Sequence, residues 1–108
     1  MAREVTQETF AAAWADGALV VDVRDADEYA AGHVPGARLM ALRTVPARCG
    51  ELPTDRPVFA ICASGNRSRT AADWMLSRGI DAYSVAGGTS AWARAGRPVA
   101  AGSHEHAA

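Results

Sequence analysis

The sequence contains no lysine; all 11 of its basic residues are arginine. Arginine keeps its charge on burial and grips oxyanions in a forked geometry, but alanine is abundant as well, and the bias reads mainly as genome composition. Cysteine is scarce. Only Cys49 and Cys62 occur, with no C-x-x-C pair and no histidine at metal-ligand spacing. That pattern speaks against a disulfide scaffold or a zinc site, and no metal or other cofactor is expected. Neither sign of charge is in excess: the net charge is −1. Nucleic acid and anionic membranes are therefore not expected partners. No apolar run approaches the roughly 20 residues of a membrane span, and "MAREVTQETF" has no hydrophobic signal core. A cytoplasmic protein is expected, where reducing conditions suit a working thiol. Repeats and internal linkers are absent too. A chain of 108 residues points to one domain, able to bury about two-thirds of its unfolded surface without staples.

Apolar periodicity supplies the frame. "TQETFAAAWADG" reads as a helix with Thr6 as N-cap, Phe10 and Trp14 on one face and Gly17 at its end. "ALVVDVR" is a β-branched run of the kind found in buried strands. "DADEYAAG" places acids in a first helical turn and Gly32 at the close. "HVPGARLM" is a turn followed by a short extended segment. "LRTVPARCGELP" has no clear period and is expected as a broken helix or loop. "PVFAIC" is a second buried strand. "SRTAADWMLSRG" is a helix turning Ala71, Ala72, Met75 and Leu76 to a core. "DAYSVAGG" is a third strand and "TSAWARAG" a closing helix. Strands alternating with helices argue for an α/β fold with a mainly parallel sheet and helices on both faces. The domain is expected to span residues 1–99. The small, polar stretch 100–108 is expected as a disordered tail, its His104 and His106 too weak a pair for a metal site. Trp14, Trp74 and Trp92 sit in helical patterns and are assigned to packing.

In such sheets ligands bind beyond the carboxyl ends of the strands. Cys62 stands at such an end, in "FAICASGNRSRTAADWML". If Cys62 closes the strand and Ser68 opens the helix, the residues between must turn sharply around the sulfur. Gly65 supplies a backbone conformation closed to other residues. Loop amides and the positive helix end then converge into an anion cradle. A thiol there falls from about 8.5 toward roughly 3.5–7.5. Arg67 adds a fixed positive charge at the rim. Cys62 is thus the candidate nucleophile, with Ala63, Ser64, Gly65, Asn66, Arg67 and Ser68 as its binding loop. The assignment requires a sulfur that is ionised and open to solvent. A cysteine taken at random is more often a small buried hydrophobe; here strand end, glycine, arginine and helix start agree. Cys49 has no such cradle and is assigned to packing.

Asp22 and Arg24 end the neighbouring apolar run. Asp22 either accepts hydrogen bonds from the cysteine loop or serves as an ordinary cap or ion-pair partner, and the sequence leaves both open. His33, in "GHVPGA", is expected to satisfy backbone groups of a turn rather than act as a base. Gly87-Gly88 are expected to make a tight turn whose missing side chains leave space around the loop.

Three blocks, "VVDVRDADEYAAGHVPGA", "FAICASGNRSRTAADWML" and "VAGGTSAWARAG", together resemble the single-domain rhodanese, or thiosulfate sulfurtransferase, family. The resemblance runs from Leu19 to Gly96. It implies a small α/β domain with a five-stranded parallel sheet flanked by helices. It also implies a chemistry in which Cys62 takes a sulfane sulfur as a persulfide and passes it to a nucleophilic acceptor. The donor would be a small sulfur-containing anion, and the acceptor cyanide, a thiol or a sulfur-acceptor protein. The loop from Ala63 to Ser68 would hold the persulfide and the donor's oxyanion through backbone N–H groups. In the related cell-cycle phosphatases the arginine follows the cysteine by six positions, whereas here Arg67 follows by five. That shorter loop resembles the sulfur-transferring members. A cysteine phosphatase or arsenate reductase is therefore the weakest alternative, and a non-enzymatic sulfur carrier or redox-sensing partner module the stronger one. Ser64 stands where two-domain thiosulfate enzymes carry a basic residue, and Ser-Gly at that place resembles the mercaptopyruvate-specific relatives. Arg67 is expected to supply the missing charge, with thiosulfate the favoured donor.

Overall fold

The three longer strands are short, mostly apolar runs, each followed by a turn into a helix. In the computed structural model, which describes residues 3–103, β1 spans Glu4–Val5, β2 Leu19–Asp22, β3 Arg38–Leu39, β4 Val58–Ile61 and β5 Ala82–Val85. The helices are α1 (Gln7–Ala15), α2 (Ala26–Ala31), α3 (Val45–Arg48), α4 (Asn66–Ser77) and α5 (Gly88–Arg94). The strands lie in the order β1-β5-β4-β2-β3 and every pairing is parallel. The α/β expectation holds, with a sheet parallel throughout.

Both faces of the sheet are covered. In β4, Val58 and Ala60 point to one face, where Val45 of α3 and Ala71, Ala72 and Met75 of α4 pack. Phe59 and Ile61 point to the other, against Phe10 of α1, Tyr29 of α2 and Trp92 of α5. Burial on two sides is why β2 and β4 read as unbroken apolar runs rather than alternating ones. The second face is aromatic. The Phe10 ring centroid lies 5.8 Å from Phe59 and 5.3 Å from Trp92, both tilted, as ring quadrupoles prefer.

Caps set the helix starts. Thr6 accepts a hydrogen bond from the Thr9 N–H and opens α1. Asp25 and Glu28 form a capping box at α2, each side chain taking the other's backbone N–H, which satisfies two of the orphan donors of that end. Two features differ from the sequence expectations, and one expectation of a broken helix or loop is met. Helix α4 begins at Asn66, two residues before Ser68, because Gly65 at φ 116° already turns the chain into it. The aperiodic stretch is the expected broken helix: a 3-10 turn (Leu42–Thr44), α3, and a second 3-10 turn (Cys49–Glu51) in succession. The stretch after residue 99 does not start as a loose tail. Ala100 and His33 exchange two backbone hydrogen bonds of 2.9 Å, and the Gly102 N–H reaches the Ala30 carbonyl at 2.8 Å. Backbone pairing, which small residues do not advertise, anchors it. His104 and His106 lie outside the described residues. No helix among the described residues is long and apolar enough to cross a membrane.

Candidate active site

Strand β4 delivers Cys62 to the carboxyl end of the sheet, and the chain turns around its sulfur into α4. The Gly65 N–H donates to Sγ at 3.0 Å. The Ser68 hydroxyl lies 3.4 Å from Sγ, 3.1 Å from the Gly65 carbonyl oxygen and 2.7 Å from the Ser84 hydroxyl. Ser68 and Ser84 are fully buried. An ionised sulfur only accepts, so Ser68 then donates to it and Ser84 can donate to Ser68 in turn. Burial pushes the Cys62 thiol up; the Ser68 hydroxyl and the N–H groups of Ser68, Gly65 and Ser64 outweigh it and hold the thiol below its ordinary value. These are the groups that favour the charged form of an acid by hydrogen bonding.

Helix α5 grips the same loop from the other side. The Thr89 N–H donates to the Cys62 carbonyl at 2.8 Å and the Ser90 N–H to the Ala63 carbonyl at 3.0 Å. This close approach is why Gly88, at φ 58°, has no side chain: a Cβ would collide with the Cys62 and Ala63 carbonyl oxygens. The Gly-Gly turn makes room for the loop's backbone.

One expectation fails. Cys62 is only 1% exposed, so the sulfur is not open to solvent. Its cover is the loop itself, whose Ser64 and Asn66 are exposed while Gly65 is buried.

A family model described as the rhodanese-like domain matches residues 6–95. The chain belongs to the rhodanese-like family. The rhodanese-related protein of Thermoplasma volcanium superposes with a TM-score of 0.85 at 26% identity, over 91% of this chain and 97% of that one. A rhodanese homolog from the extreme thermophile Thermus thermophilus shares 34% identity with a TM-score of 0.63, over 80% of this chain and 95% of that one. A rhodanese-like domain protein of Staphylococcus aureus gives 0.78 at 29% identity, over 83% and 90%.

Around the rhodanese-like cradle, the charged residues are matched. Arg24 forks onto Asp22, with Nε 3.0 Å from Oδ1 and the outer nitrogen 2.8 Å from Oδ2, and donates to the Gly32 carbonyl at 2.7 Å. Asp22 is fully buried and also takes the Arg24 backbone N–H at 3.0 Å. Of the two roles open to Asp22, the observed bonds are those of the ion pair. Arg67 does not present a free charge to the cradle. It forks onto Glu28 at 2.8 and 2.9 Å. That pair, and next the Asp25 N–H, pull Glu28 down to about 2. Sequence reasoning misses Glu28 and Ser84. Glu28 is remote from the loop in the chain and reads there only as a first-turn helix acid, whereas Ser84 interrupts an apolar strand, a signal that could have marked it. His33 is fully buried, its Nδ1 2.7 Å from the Tyr29 carbonyl oxygen and its ring stacked on Tyr29 at 3.7 Å. It meets a backbone group, as expected, but one of α2 rather than of the Pro35-Gly36 turn, and its buried Nε2 has no hydrogen-bond partner among the described residues. No cluster of metal-ligating side chains occurs among the described residues.

Proposed function

We propose that the protein is a cytoplasmic sulfurtransferase that carries a sulfane sulfur on Cys62, from thiosulfate or a similar donor to cyanide or a thiol. The Cys62 thiolate attacks the outer sulfur of the donor. The donor's S–S bond breaks, and sulfite leaves with the bonding pair when the donor is thiosulfate. The amides from Ala63 to Ser68 then face the charge on the outer sulfur of the persulfide. An acceptor takes that sulfur and returns the thiolate. The observation that carries this reading is the Gly65 N–H aimed at Sγ at 3.0 Å, because an amide committed to a sulfur is useful chiefly when the sulfur is charged.

The near-complete burial of Cys62 favours a second reading, a sulfur carrier or redox-sensing module whose partner opens the loop. Slow turnover with thiosulfate and cyanide, but efficient transfer to a partner thiol, marks that case. Both readings need the persulfide. Intact mass after incubation with excess thiosulfate tests for it: one sulfur is gained, is lost on adding cyanide, and is absent in Cys62→Ser. No gain from thiosulfate or from a hydropersulfide, or a gain located on Cys49, overturns both.

A further inference from the structure

The charges beside the cradle cancel in pairs. Arg24 is held by Asp22, Arg67 by Glu28, and Arg43 by Asp25 at 3.0 Å. The pairs also sense one another: Arg24 acts on Glu28, and Arg67 feels Cys62 and, after it, Asp25, although its hydrogen bonds go to Glu28. The next arginine on α4, Arg69, is held by Glu4 at 3.2 Å and by the Asn66 side chain at 2.6 Å. The mouth therefore offers no uncommitted guanidinium among these four. The sulfur behind it is 1% exposed, so a donor must shed water to reach it. A dianion such as thiosulfate sheds the most, and it approaches a thiolate of the same sign. Desolvating charge without a partner is costly.

We propose that Glu28, by holding Arg67, sets the donor preference of this site toward small hydropersulfides of low net charge and away from thiosulfate. This deepens the persulfide reading of Cys62 and rests on it. The reaction balances without a cation: the Cys62 thiolate attacks the outer sulfur of R–S–SH, that S–S bond breaks, and R–S⁻ departs with the bonding pair. Cys62–S–SH remains and ionises in the cradle.

Glu28→Gln keeps an oxygen for the Asp25 N–H but replaces one arm of the fork with an amide that repels Arg67. Single-turnover loading of Cys62 is measured by quenched intact mass, with cysteine hydropersulfide and with thiosulfate. The wild type is expected to load faster from the hydropersulfide. In Glu28→Gln the thiosulfate-to-hydropersulfide rate ratio should rise about tenfold, the effect of one released charge-assisted contact. In Glu28→Gln/Arg67→Gln, which is neutral again, the ratio should return to the wild-type value. Far-UV spectra and urea midpoints establish that each variant is folded. If both donors load Cys62 but the ratio is the same in all three proteins, or if thiosulfate is the faster donor of the wild type, the role of Glu28 is wrong while sulfur transfer stands. If neither donor loads Cys62 in any of them, the persulfide reading falls and this inference with it.

Discussion

Strands β2 and β4 are neighbours, with Asp22 in register with Ile61, and both hand the chain to a helix at the same end of the sheet. The two junctions resolve their polar groups in opposite ways. After β2 the donors end on carboxylates, and Glu28 also reaches across to Arg67 of the other junction. Asp22 takes the Arg24 backbone and guanidinium, and Glu28 takes the Asp25 N–H. After β4 the Gly65 N–H and the Ser68 hydroxyl converge on a thiol. One junction commits its donors to carboxylates that never change. The other commits them to the single atom there that can ionise and bind a further atom. Chemistry belongs to the junction whose hydrogen bonds end on a reactive group, and stability chiefly to the one whose bonds end on carboxylates, with the Glu28–Arg67 pair joining the two.

Replacing Asp22 should have the largest effect, and on folding. Asp22→Ala leaves the Arg24 guanidinium, 8% exposed, without its partner, a loss of about 3–5 kcal/mol measurable by urea denaturation. The pH midpoint of Cys62 alkylation in the folded protein should move little. A large shift in that midpoint with little change in stability would reverse the division between the junctions. Ser68→Ala should act mainly on the sulfur. Losing the hydroxyl raises the thiol, because Ser68 is the largest of the groups that hold it down, and costs about 1 kcal/mol of stability. The alkylation profile and a urea curve together check this, and an unmoved profile would mean that the backbone alone sets the thiol. Ser84→Ala should do the same more weakly, since it acts only through Ser68 at 2.7 Å.

The smallest effect lies in acid. Glu28 falls from 4.5 to about 2 on folding. A carboxyl whose pKa is lowered in the folded state adds stability above its unfolded value, and that stability is lost as pH falls through the folded one. Its side chain is about a third exposed, 33%, so solvent screening limits the gain to about 1 kcal/mol or less. The stability gap between wild type and Glu28→Gln should therefore hold at neutral pH and close between pH 4.5 and about 2. A gap that persists at the acid end would mean that Gln fails in the capping box rather than in the ion pair.

What the sequence discloses follows how local each signal is. Strands β2, β4 and β5 are legible because burial on two faces leaves a continuous apolar run. Helix α1 is legible through the Thr6 cap. The cysteine loop stands out because Cys62, Gly65 and the helix start fall within a few residues. Strand β1 holds two residues, too few to show a period, while the equally short β3 is marked only as an extended segment after the Pro35-Gly36 turn. Pairings across long stretches of chain are hidden, and they change the site most. Glu28 removes Arg67 from the role its position indicated, and Ser84 reaches Ser68 from another strand. The fastening of Ala100 to His33 is made by backbone alone, which no side chain reveals. The closure of the loop over Cys62 is hidden for a related reason. Sequence marks which groups can surround a sulfur, but not how tightly they close.

The most direct measurement is the pH dependence of Cys62 alkylation in Cys49→Ala, where one thiol remains. Donation by Gly65 and Ser68 requires a midpoint below the roughly 8.5 of a free cysteine, with a slow plateau rate set by opening of the loop. A midpoint at or above that value would mean that burial outweighs the amides, and Cys62 would be an inert core thiol.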